Sequence, residues 1–478
     1  METSEKPNRF ARVLKDREVI TLAFGAMIGW SWVLMTGFWV QTAGSLGTLI
    51  AFGAGGLAIV LIGLTYSELV SAMPEAGGEH VYTLRALGPT WSFVCTWALL
   101  FAYVNVCLFE AVALPTAIEY LVPSVRLGTL WKVLDADVDL GFVLIGAGGA
   151  IIVTWVNVRG IKTAVRLQSA AIGLIFFSGV LLVTGALAFG EASNAEPWIA
   201  SPATGILSVL IMVPAMLVGF DVIPQSAEEI DLEPARIGRL LIVSVFMAVA
   251  WYGCVSFAVA FGLNSTELAA SSMATGDAAT SLWGSPLAGT LLVLGGVAGI
   301  VTSWNAFVIG GSRVLFALAT SGLVPAMFAR IHPRYKTPYV GVIAIGVLSS
   351  LAPLFGRTVL VWLIDAGSFA VVVAYFFVPL AFLVLRKTEP DMERPFRIRY
   401  PRLVGVSAVV LAIALLSAFM PWSPSALIWP YEWAMLLTWG VLGGLLFLRY
   451  RIKQARQVQA TAGSAVAAAS DKARNTGP

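Results

Sequence analysis

Long apolar runs recur along the whole of this chain. A helix needs about 20 apolar residues to cross the roughly 30 Å hydrocarbon core of a bilayer. Twelve runs of that kind stand between charged or turn-rich segments, at residues 19–43, 47–72, 90–121, 140–158, 168–190, 204–226, 237–262, 286–320, 338–356, 358–385, 403–421 and 427–448. Backbone polar groups in lipid must bond within their own segment, so the runs indicate helices. The sequence therefore predicts an all-α polytopic membrane protein with 12 transmembrane helices.

Composition supports this class and excludes several others. Hydrophobic residues make up 58% of the chain and charged residues only 12%, whereas a soluble domain has about 25% charged residues. The net charge of +3 is too small to indicate a nucleic-acid partner. Cys95, Cys107 and Cys254 lie in apolar runs without metal-ligand spacing, so we expect packing residues and neither a disulfide nor a zinc site.

The distribution of basic residues predicts the orientation. If the N-terminus is cytoplasmic, 27 of the 30 Lys and Arg residues fall on the inner side, and Arg126, Lys132 and Arg357 do not. The positive-inside rule then places both termini inside the cell. We predict a cytoplasmic N-terminus at 1–18 without a removable signal peptide. The tail at 449–478 has no apolar stripe after Arg456 and is predicted to be cytoplasmic and disordered.

Two spans carry helix-breaking residues deep in the apolar region. Span one contains Gly25-Ala26-Met27-Ile28-Gly29 followed by Trp30-Ser31-Trp32, and span six contains Pro214, Gly219-Phe220-Asp221 and Pro224. Glycine and proline at such depth favour unwound backbone, whose free amides and carbonyls need a partner. The two spans lie five spans apart, as in a five-helix inverted repeat. Discontinuous helices in corresponding positions indicate the binding site of a transporter.

Four segments together resemble the amino acid-polyamine-organocation (APC) superfamily of transporters, over most of the chain. They are residues 25–29, 67–82, 157–162 and 219–234. Each segment is a weak signal by itself, but their order and spacing are typical of the amino acid permease type.

The resemblance implies a specific architecture. It consists of a five-plus-five inverted repeat with broken helices 1 and 6, as in the APC/LeuT-like fold, followed by two C-terminal helices. In this chain the first repeat would cover 19–190, the second 204–385, and the extra helices 403–448. The substrate would bind between spans one, three, six and eight.

The candidate substrate site lies at the span-one interruption. A half-helix that starts there offers free amides and a favourable dipole to a carboxylate, and Ser31 with the amides of Trp30 and Trp32 is the candidate cradle. Members of the family usually have small residues here, so the two indoles would shrink the pocket or contact an ammonium group; alternatively they only pack between helices. The expected substrate-binding residues are Ala26, Met27, Gly29, Trp30, Ser31, Trp32, Cys107, Glu110, Gly219, Phe220, Asp221 and Phe307.

Asp221 and Glu110 lie inside apolar spans, where an ionised carboxylate costs at least about 2.5 kcal/mol. The resemblance implies that Asp221 takes part in substrate or proton sensing, and the alternative is an acid that caps the broken helix. Glu110 has no cation three or four residues away. It is a candidate proton carrier, or it hydrogen-bonds another helix.

The coupling ion stays open between several alternatives. A sodium ion would find oxygen ligands in the carbonyls of Gly25 and Ile28 and the hydroxyls of Thr302 and Ser303, although such hydroxyls commonly bond back to their own helix. Several related transporters carry a lysine in span five at the equivalent cation site. Here 168–190 is uncharged and Ile175 falls near that position, which leaves sodium, protonation of Asp221 or Glu110, or plain exchange.

Two further charged residues are predicted to be structural. Glu68, near the inner end of span two, is expected to form an ion pair or gate with Arg85 or another base of the inner loops. Arg313 in span eight is expected to be an anchor.

No enzyme motif is present: the chain lacks His-Glu-x-x-His, Gly-x-Ser-x-Gly and Gly-x4-Gly-Lys-Ser/Thr, and no cofactor is predicted. We predict a secondary active transporter of amino acids or small amines in the plasma (inner) membrane, working by alternating access as an H⁺ or Na⁺ symporter or an exchanger. The alternative is a polyamine- or ethanolamine-type organocation permease. A channel or a membrane scaffold is the competing class.

Overall fold

Helices account for nearly all of the described chain. The computed structural model describes residues 10–134, 136–271, 273–423 and 426–474. The α-helices are α1 (Asp16–Met27), α2 (Ser31–Leu34), α3 (Thr36–Ala43), α4 (Ser45–Ala72), α5 (Glu79–Leu121), α6 (Leu140–Val158), α7 (Ile161–Phe189), α8 (Thr204–Met216), α9 (Val222–Gln225), α10 (Pro234–Gly262), α11 (Ser265–Ala270), α12 (Ala274–Trp283), α13 (Pro286–Thr320), α14 (Tyr339–Leu351), α15 (Val359–Thr388), α16 (Pro401–Ala418) and α17 (Tyr431–Arg474).

A single antiparallel hairpin interrupts the helical fold in the described part of the chain. It pairs β1 (Thr129–Val133) with β2 (Ala136–Asp139), with a register irregularity between Thr129 and Trp131. The hairpin lies between α5 and α6, where the sequence predicts a loop on the face opposite the chain termini.

Nine helices in the described ranges are long and apolar enough to cross a membrane. They are α4, α5, α6, α7, α10, α13, α15, α16 and α17. The other three predicted spans correspond to α1–α3, to α8–α9 and to α14. Non-helical backbone divides the first two of these spans. The third is short because α14 ends at Leu351, where a 3₁₀ turn follows. The prediction of an all-α polytopic membrane protein is confirmed.

Burial divides the helices into central and peripheral ones. The most apolar windows of α13 and α5 are 83% and 78% buried, whereas those of α16 and α17 are only 22% and 11% buried. Helix α5 packs against α15, α13 and α6, and α13 also packs against α7. The two C-terminal helices therefore lie at the periphery of the bundle, and α5 and α13 lie at its centre.

One helix begins earlier than its apolar run. Span three is predicted from residue 90, but α5 starts at Glu79 and passes through a kink at Gly88, where φ is +79°. Only glycine adopts this φ readily, and Pro89 disfavours helical backbone in the residue before it. The kink therefore lies at the predicted start of the span.

The prediction of a disordered C-terminal tail is wrong for the described part of it. Helix α17 continues without a break from the membrane-spanning segment to Arg474. Residues after Arg456 are rich in alanine, the strongest helix former, and an existing helix needs no new nucleus to extend. Residues 475–478 and 1–9, to which the cytoplasmic tail and N-terminal predictions also apply, lie outside the described residues.

Candidate functional site

Both predicted interruptions are present as non-helical backbone. In span one, α1 ends at Met27 and α2 begins at Ser31. In span six, α8 ends at Met216 and α9 begins at Val222. Each gap leaves amides and carbonyls without their usual partners in the helix.

The two interruptions touch at Gly219. Its φ is +131°, and a Cβ atom there would lie 2.7 Å from Ala26 Cβ and 2.8 Å from the Ala26 carbonyl carbon. A larger residue would collide with the backbone of Ala26 and Met27, which would have to shift. Glycine at this position therefore permits the close approach of the two unwound stretches.

A tyrosine of α10 bonds to the span-one interruption. The Tyr252 hydroxyl donates to the Met27 carbonyl over 2.9 Å and lies 3.0 Å from the Ser31 hydroxyl. Tyr252 is fully buried. Sequence reasoning missed this residue, because nothing in span seven marks which of its faces meets span one.

A central cavity of about 70 Å³ is lined by residues of both interrupted spans. Span one contributes Gly29 and Ser31, and span six contributes Met216 and Val218. The remaining walls come from α5, α13 and α15, through Asn105, Val106, Phe109, Glu110, Ser303, Phe307, Leu363, Ile364, Gly367 and Ser368 among others. Most of the lining is apolar, with a few hydroxyl, amide and carboxyl groups among it.

The predicted substrate residues divide into two groups. Seven of them line the central cavity: Ala26, Met27, Gly29, Trp30, Ser31, Glu110 and Phe307. Five do not: Trp32, Cys107, Gly219, Phe220 and Asp221. Neighbouring residues on a helix point about 100° apart, so Trp32 turns away from the cavity next to Ser31 and packs edge-on against Trp251 at 5.4 Å.

Helix α15 supplies a wall that the sequence analysis did not include. Leu363, Gly367 and Ser368 line the cavity, and Asn105 of α5 lies against Gly367. The Asn105 amide donates to Phe101 O over 2.8 Å, and its side-chain oxygen has no hydrogen-bond partner among the described residues. A polar residue inside an apolar span was a usable signal for Asn105, because buried amides need partners.

Glu110 lies beside the amide that we predicted for the substrate carboxylate. Its carboxyl group faces the Trp30 amide and the Ser303 hydroxyl, and the residue is only 1% exposed. Its Oε2 atom has no hydrogen-bond partner in the described part of the chain. Glu110 can therefore take up a proton or accept a hydrogen bond from an ammonium group in the cavity.

Asp221 lies behind the cavity wall. Its carboxylate accepts hydrogen bonds from the Tyr103 hydroxyl over 2.6 Å and from the Gly219 amide over 2.8 Å. Tyr103 packs edge-on against Phe307 at 5.0 Å, and Phe307 lines the cavity. This geometry agrees with the alternative interpretation, in which Asp221 caps the unwound stretch, and makes any effect on the substrate indirect.

The predicted sodium ligands are engaged in part by the protein itself. Thr302 donates back to Gly299 O of its own helix over 3.0 Å, and the Ser303 hydroxyl faces Glu110. The carbonyls of Ile28 and Gly29 lie against the backbone of Gly299. Sodium binding at Gly25, Ile28, Thr302 and Ser303 stays a prediction.

A neutral polar network lies beside Gly25. The Gln168 amide donates to Thr21 O over 3.3 Å, and Asn305 donates to Gln168 over 2.8 Å. Asn157 donates to Asn305 over 2.9 Å. These side chains connect α1, α7, α13 and α6 without a charge, and Ile175 is buried on the same span as Gln168.

The predicted Glu68–Arg85 pair is wrong, and the alternative of another inner-loop base is right. Glu68 accepts from Arg386 over 2.6 Å and from the Ile398 amide over 2.8 Å, and it lies 3.1 Å from Arg394. The segment after α15 folds back against α4, which sequence separation alone does not predict. Arg85 instead donates to Glu389, and this hydrogen bond lowers the pKa of the Glu389 carboxyl.

Arg313 forms a buried ion pair, as expected of an anchor. It lies 2.7 Å from Glu229, and each side chain is 2% exposed. The Glu229 carbonyl accepts the amides of Val13 and Leu14, and the Asp231 amide donates to Leu14 O. The N-terminal segment, the residues after α9 and α13 are thereby held together.

Comparison with known proteins places these features in context. The family described as Amino acid permease matches residues 17–446. The branched-chain amino acid permease BcaP of Bacillus subtilis (strain 168) is 26% identical over 392 residues, which cover 81% of this chain and 83% of BcaP. The methylthioribose transporter of the same organism is 22% identical over 460 residues, 95% of this chain and 96% of that protein. The mouse (Mus musculus) cationic amino acid transporter 4 is 26% identical over 404 residues, 81% of this chain and 61% of its own length.

Proposed function

The chain belongs to the amino acid permease family, and from this premise we propose that it carries amino acids across its membrane by alternating access. The family consists of transporters and not of enzymes. The observation that carries the proposal is the central cavity lined by both interrupted spans. A small polar guest there would complete the bonds that the unwound backbone leaves open.

The architecture that we propose for this function has twelve spans. The inverted repeats would cover 19–190 and 204–385, with two further helices in 403–448 and both termini in the cytoplasm of a cell whose plasma membrane holds the protein. The contact between Leu14 and Ile230 supports this topology, because an even number of crossings returns the end of span six to the side of the N-terminus. The interruptions in spans one and six also support the repeat.

The cavity favours an amino acid with an apolar side chain. Val106, Phe109 and Leu363 are among the apolar groups of its wall, and an apolar pocket with a few placed polar groups is typical of small-molecule sites. We expect the ammonium group of the substrate to face Glu110 and its carboxylate to lie near Ser31. Because Trp32 lies outside the lining, its amide is not included in this proposal.

A second candidate, an amine permease, is favoured by one observation. The Glu110 carboxyl group lies beside the Trp30 amide, so a substrate carboxylate at this amide would lie next to another carboxyl group. A cavity with an acidic group and no basic side chain in its lining suits a cation without a carboxylate. This alternative is an organocation permease of the polyamine or ethanolamine type.

We propose proton coupling through Glu110 in preference to sodium symport. Its Oε2 atom faces no internal donor in the described residues, whereas Thr302 of the sodium set is satisfied by its own helix. Asp221 would transmit the effect of substrate through Phe307 and Tyr103. Plain exchange without an ion is the alternative that the same geometry allows.

Uptake by the purified protein in liposomes tests the function. We expect saturable uptake of radiolabelled L-leucine, accelerated by unlabelled L-leucine on the opposite side. An imposed proton gradient should drive accumulation, and a sodium gradient at constant pH should not. Saturable uptake of putrescine without that of L-leucine would favour the amine permease, and unsaturable flux would indicate a channel. Absence of flux for both compounds would contradict transport.

A further inference from the structure

A second cavity of about 620 Å³ opens on the face opposite the chain termini. Its lining includes Glu119 at the end of α5, Arg126 beyond it, and Arg357 just before α15. Leu34 of α2 and Met273 contribute apolar surface. We call Arg126 and Arg357 the outer arginine pair. The function argued above does not use these residues.

The outer arginine pair shares one carboxylate. Arg126 donates to Oε1 of Glu119, and Arg357 pairs with Oε2. Glu119 is 10% exposed, whereas Arg126 and Arg357 are 67% and 43% exposed. Two positive charges on a single negative charge leave the cluster with a net charge of +1 at neutral pH.

Both guanidinium groups keep donors free for a ligand. Arginine has five N–H donors, and the contacts of this pair within the described residues use only those directed at Glu119, apart from the packing of Arg357 over Phe142 at 5.6 Å. Glu119 and Phe142 hold the cations in position from one side. The exposed side can receive the planar, bidentate partner that arginine prefers, which is a carboxylate.

The outer cavity lies over the central one, because the same elements line both. Leu34 is one helical turn beyond Ser31 in α2. Thr116 is six residues beyond Glu110 in α5, about 9 Å along the helix axis. Arg357 precedes α15, which contributes Leu363 to the central cavity. A molecule that approaches the central cavity from this face passes the outer arginine pair.

We propose that Arg126 and Arg357 form an outer capture site, which binds the carboxylate of the amino acid before it moves to the central cavity. The proposal rests on the proposed amino acid transport. Apolar surface from Leu34 and Met273 lies beside the cations and suits the side chain of the substrate. The site is partly exposed, so its binding is weak and sensitive to ionic strength.

Glutamine substitutions of the pair test this site in the full-length protein. The double variant Arg126→Gln/Arg357→Gln is compared with Lys132→Gln, which removes the third cation of the same face. Lys132 is paired with Asp137 and is 69% exposed, and it does not line the cavity. Initial uptake of L-leucine is measured with the substrate on the face of the hairpin, at low and at physiological salt.

We expect the double substitution to raise KM about five- to tenfold at low salt with little change in maximal rate, because exposed ion pairs each contribute modestly. Salt should raise the KM of the wild-type protein and have little effect on the double variant. Lys132→Gln should behave as wild type. A double variant with the KM of Lys132→Gln would overturn the proposal.

Two further measurements separate capture from a structural role and from a free-ion effect. Isopentylamine, which is L-leucine without its carboxylate, should compete equally well in wild type and double variant; an equal loss of amine competition would contradict carboxylate capture. Sodium sulfate and sodium gluconate are compared at equal ionic strength. One result would assign the pair to inorganic anions instead: sulfate inhibits the wild-type protein more strongly than gluconate does, and the double variant loses this difference but keeps the wild-type KM for L-leucine.

Folding and function are controlled separately. If the double glutamine variant yields no monodisperse protein, Arg126→Lys/Arg357→Lys keeps the charge but not the bidentate geometry, and we expect a KM increase of about two- to threefold with the salt dependence retained. A lysine variant with wild-type KM would then overturn the proposal. Absence of L-leucine uptake in the wild type would contradict the proposed function, whereas normal wild-type uptake with an unchanged variant KM would contradict only the capture site.

Discussion

At the scale of single residues, Glu110 dominates the chemistry of the central cavity. It is the acid in the lining, and its neighbours are the Trp30 amide, the Ser303 hydroxyl and apolar side chains. A buried carboxyl group without a paired cation is most easily accommodated when it is protonated or bound to a cationic ligand. In the mechanism that we propose, substrate and proton would both act at this one group.

Replacement of this carboxyl group tests the coupling. We predict that Glu110→Gln, which keeps the size of the side chain, loses proton-driven accumulation of L-leucine at least tenfold but retains exchange across the membrane. The measurement is uptake with and without a proton gradient. Glu432→Gln is the control, since Glu432 is a buried acid of the peripheral helix α17. Accumulation by Glu110→Gln at the wild-type level would exclude Glu110 as the proton carrier.

Gly219 lies where the two interruptions meet, and the space there has no room for a larger side chain. We predict that Gly219→Ala lowers stability by about 1–3 kcal/mol, through backbone strain at positive φ and collision with Ala26, and abolishes uptake. The control is Gly173→Ala in α7, where an added Cβ atom meets no atom within 4 Å. Thermal unfolding in detergent and liposome uptake provide the two readouts. Wild-type behaviour of Gly219→Ala would show that the stretches need not approach so closely.

At the scale of elements, one ion pair holds together the ends of three segments on one face of the bundle. Arg313 of α13 meets Glu229 after α9, and the backbone of Glu229 binds the N-terminal segment. A buried pair stabilises little relative to apolar residues of similar size, but removal of one partner leaves an uncompensated charge. The pair therefore fixes the relative position of spans one, six and eight on this face.

Single and double substitutions separate these two effects. We predict that Arg313→Met destabilises the protein by about 3–5 kcal/mol, and that addition of Glu229→Leu restores most of the loss because no buried charge remains unpaired. Thermal unfolding of the purified variants measures both steps. Equal instability of the single and the double variant would mean that Arg313 acts through contacts other than Glu229.

At the scale of the whole molecule, the arrangement of charges determines how the bundle sits in the membrane. The resemblance to the APC superfamily is confirmed by the family match, and the long helices confirm a multi-pass membrane protein. The orientation is a proposal based on the basic residues. Lys132 in β1 and Lys387 near the end of α15 would lie on opposite faces.

Cysteine labelling tests the orientation. In a background with Cys95, Cys107 and Cys254 replaced by serine, we predict that Lys132→Cys reacts with a membrane-impermeant maleimide on intact cells. Lys387→Cys should react only after the membrane is permeabilised. Uptake by each cysteine variant at the wild-type rate serves as the control for correct folding. Labelling in the reverse pattern would invert the topology, and labelling of both sites on intact cells would break the predicted span count.

The sequence by itself determined the class of fold, the approximate limits of the helices and the two places where helices break. These properties depend on local composition, because hydropathy, proline and glycine act on the segment that contains them. Tertiary structure alone decided that Asp221 lies behind Tyr103 and Phe307, that Glu68 pairs with Arg386, and that α15 closes the cavity. Such contacts depend on how each helix is rotated and packed against partners distant in sequence, and an apolar run hydrophobic on all sides carries little information about that rotation.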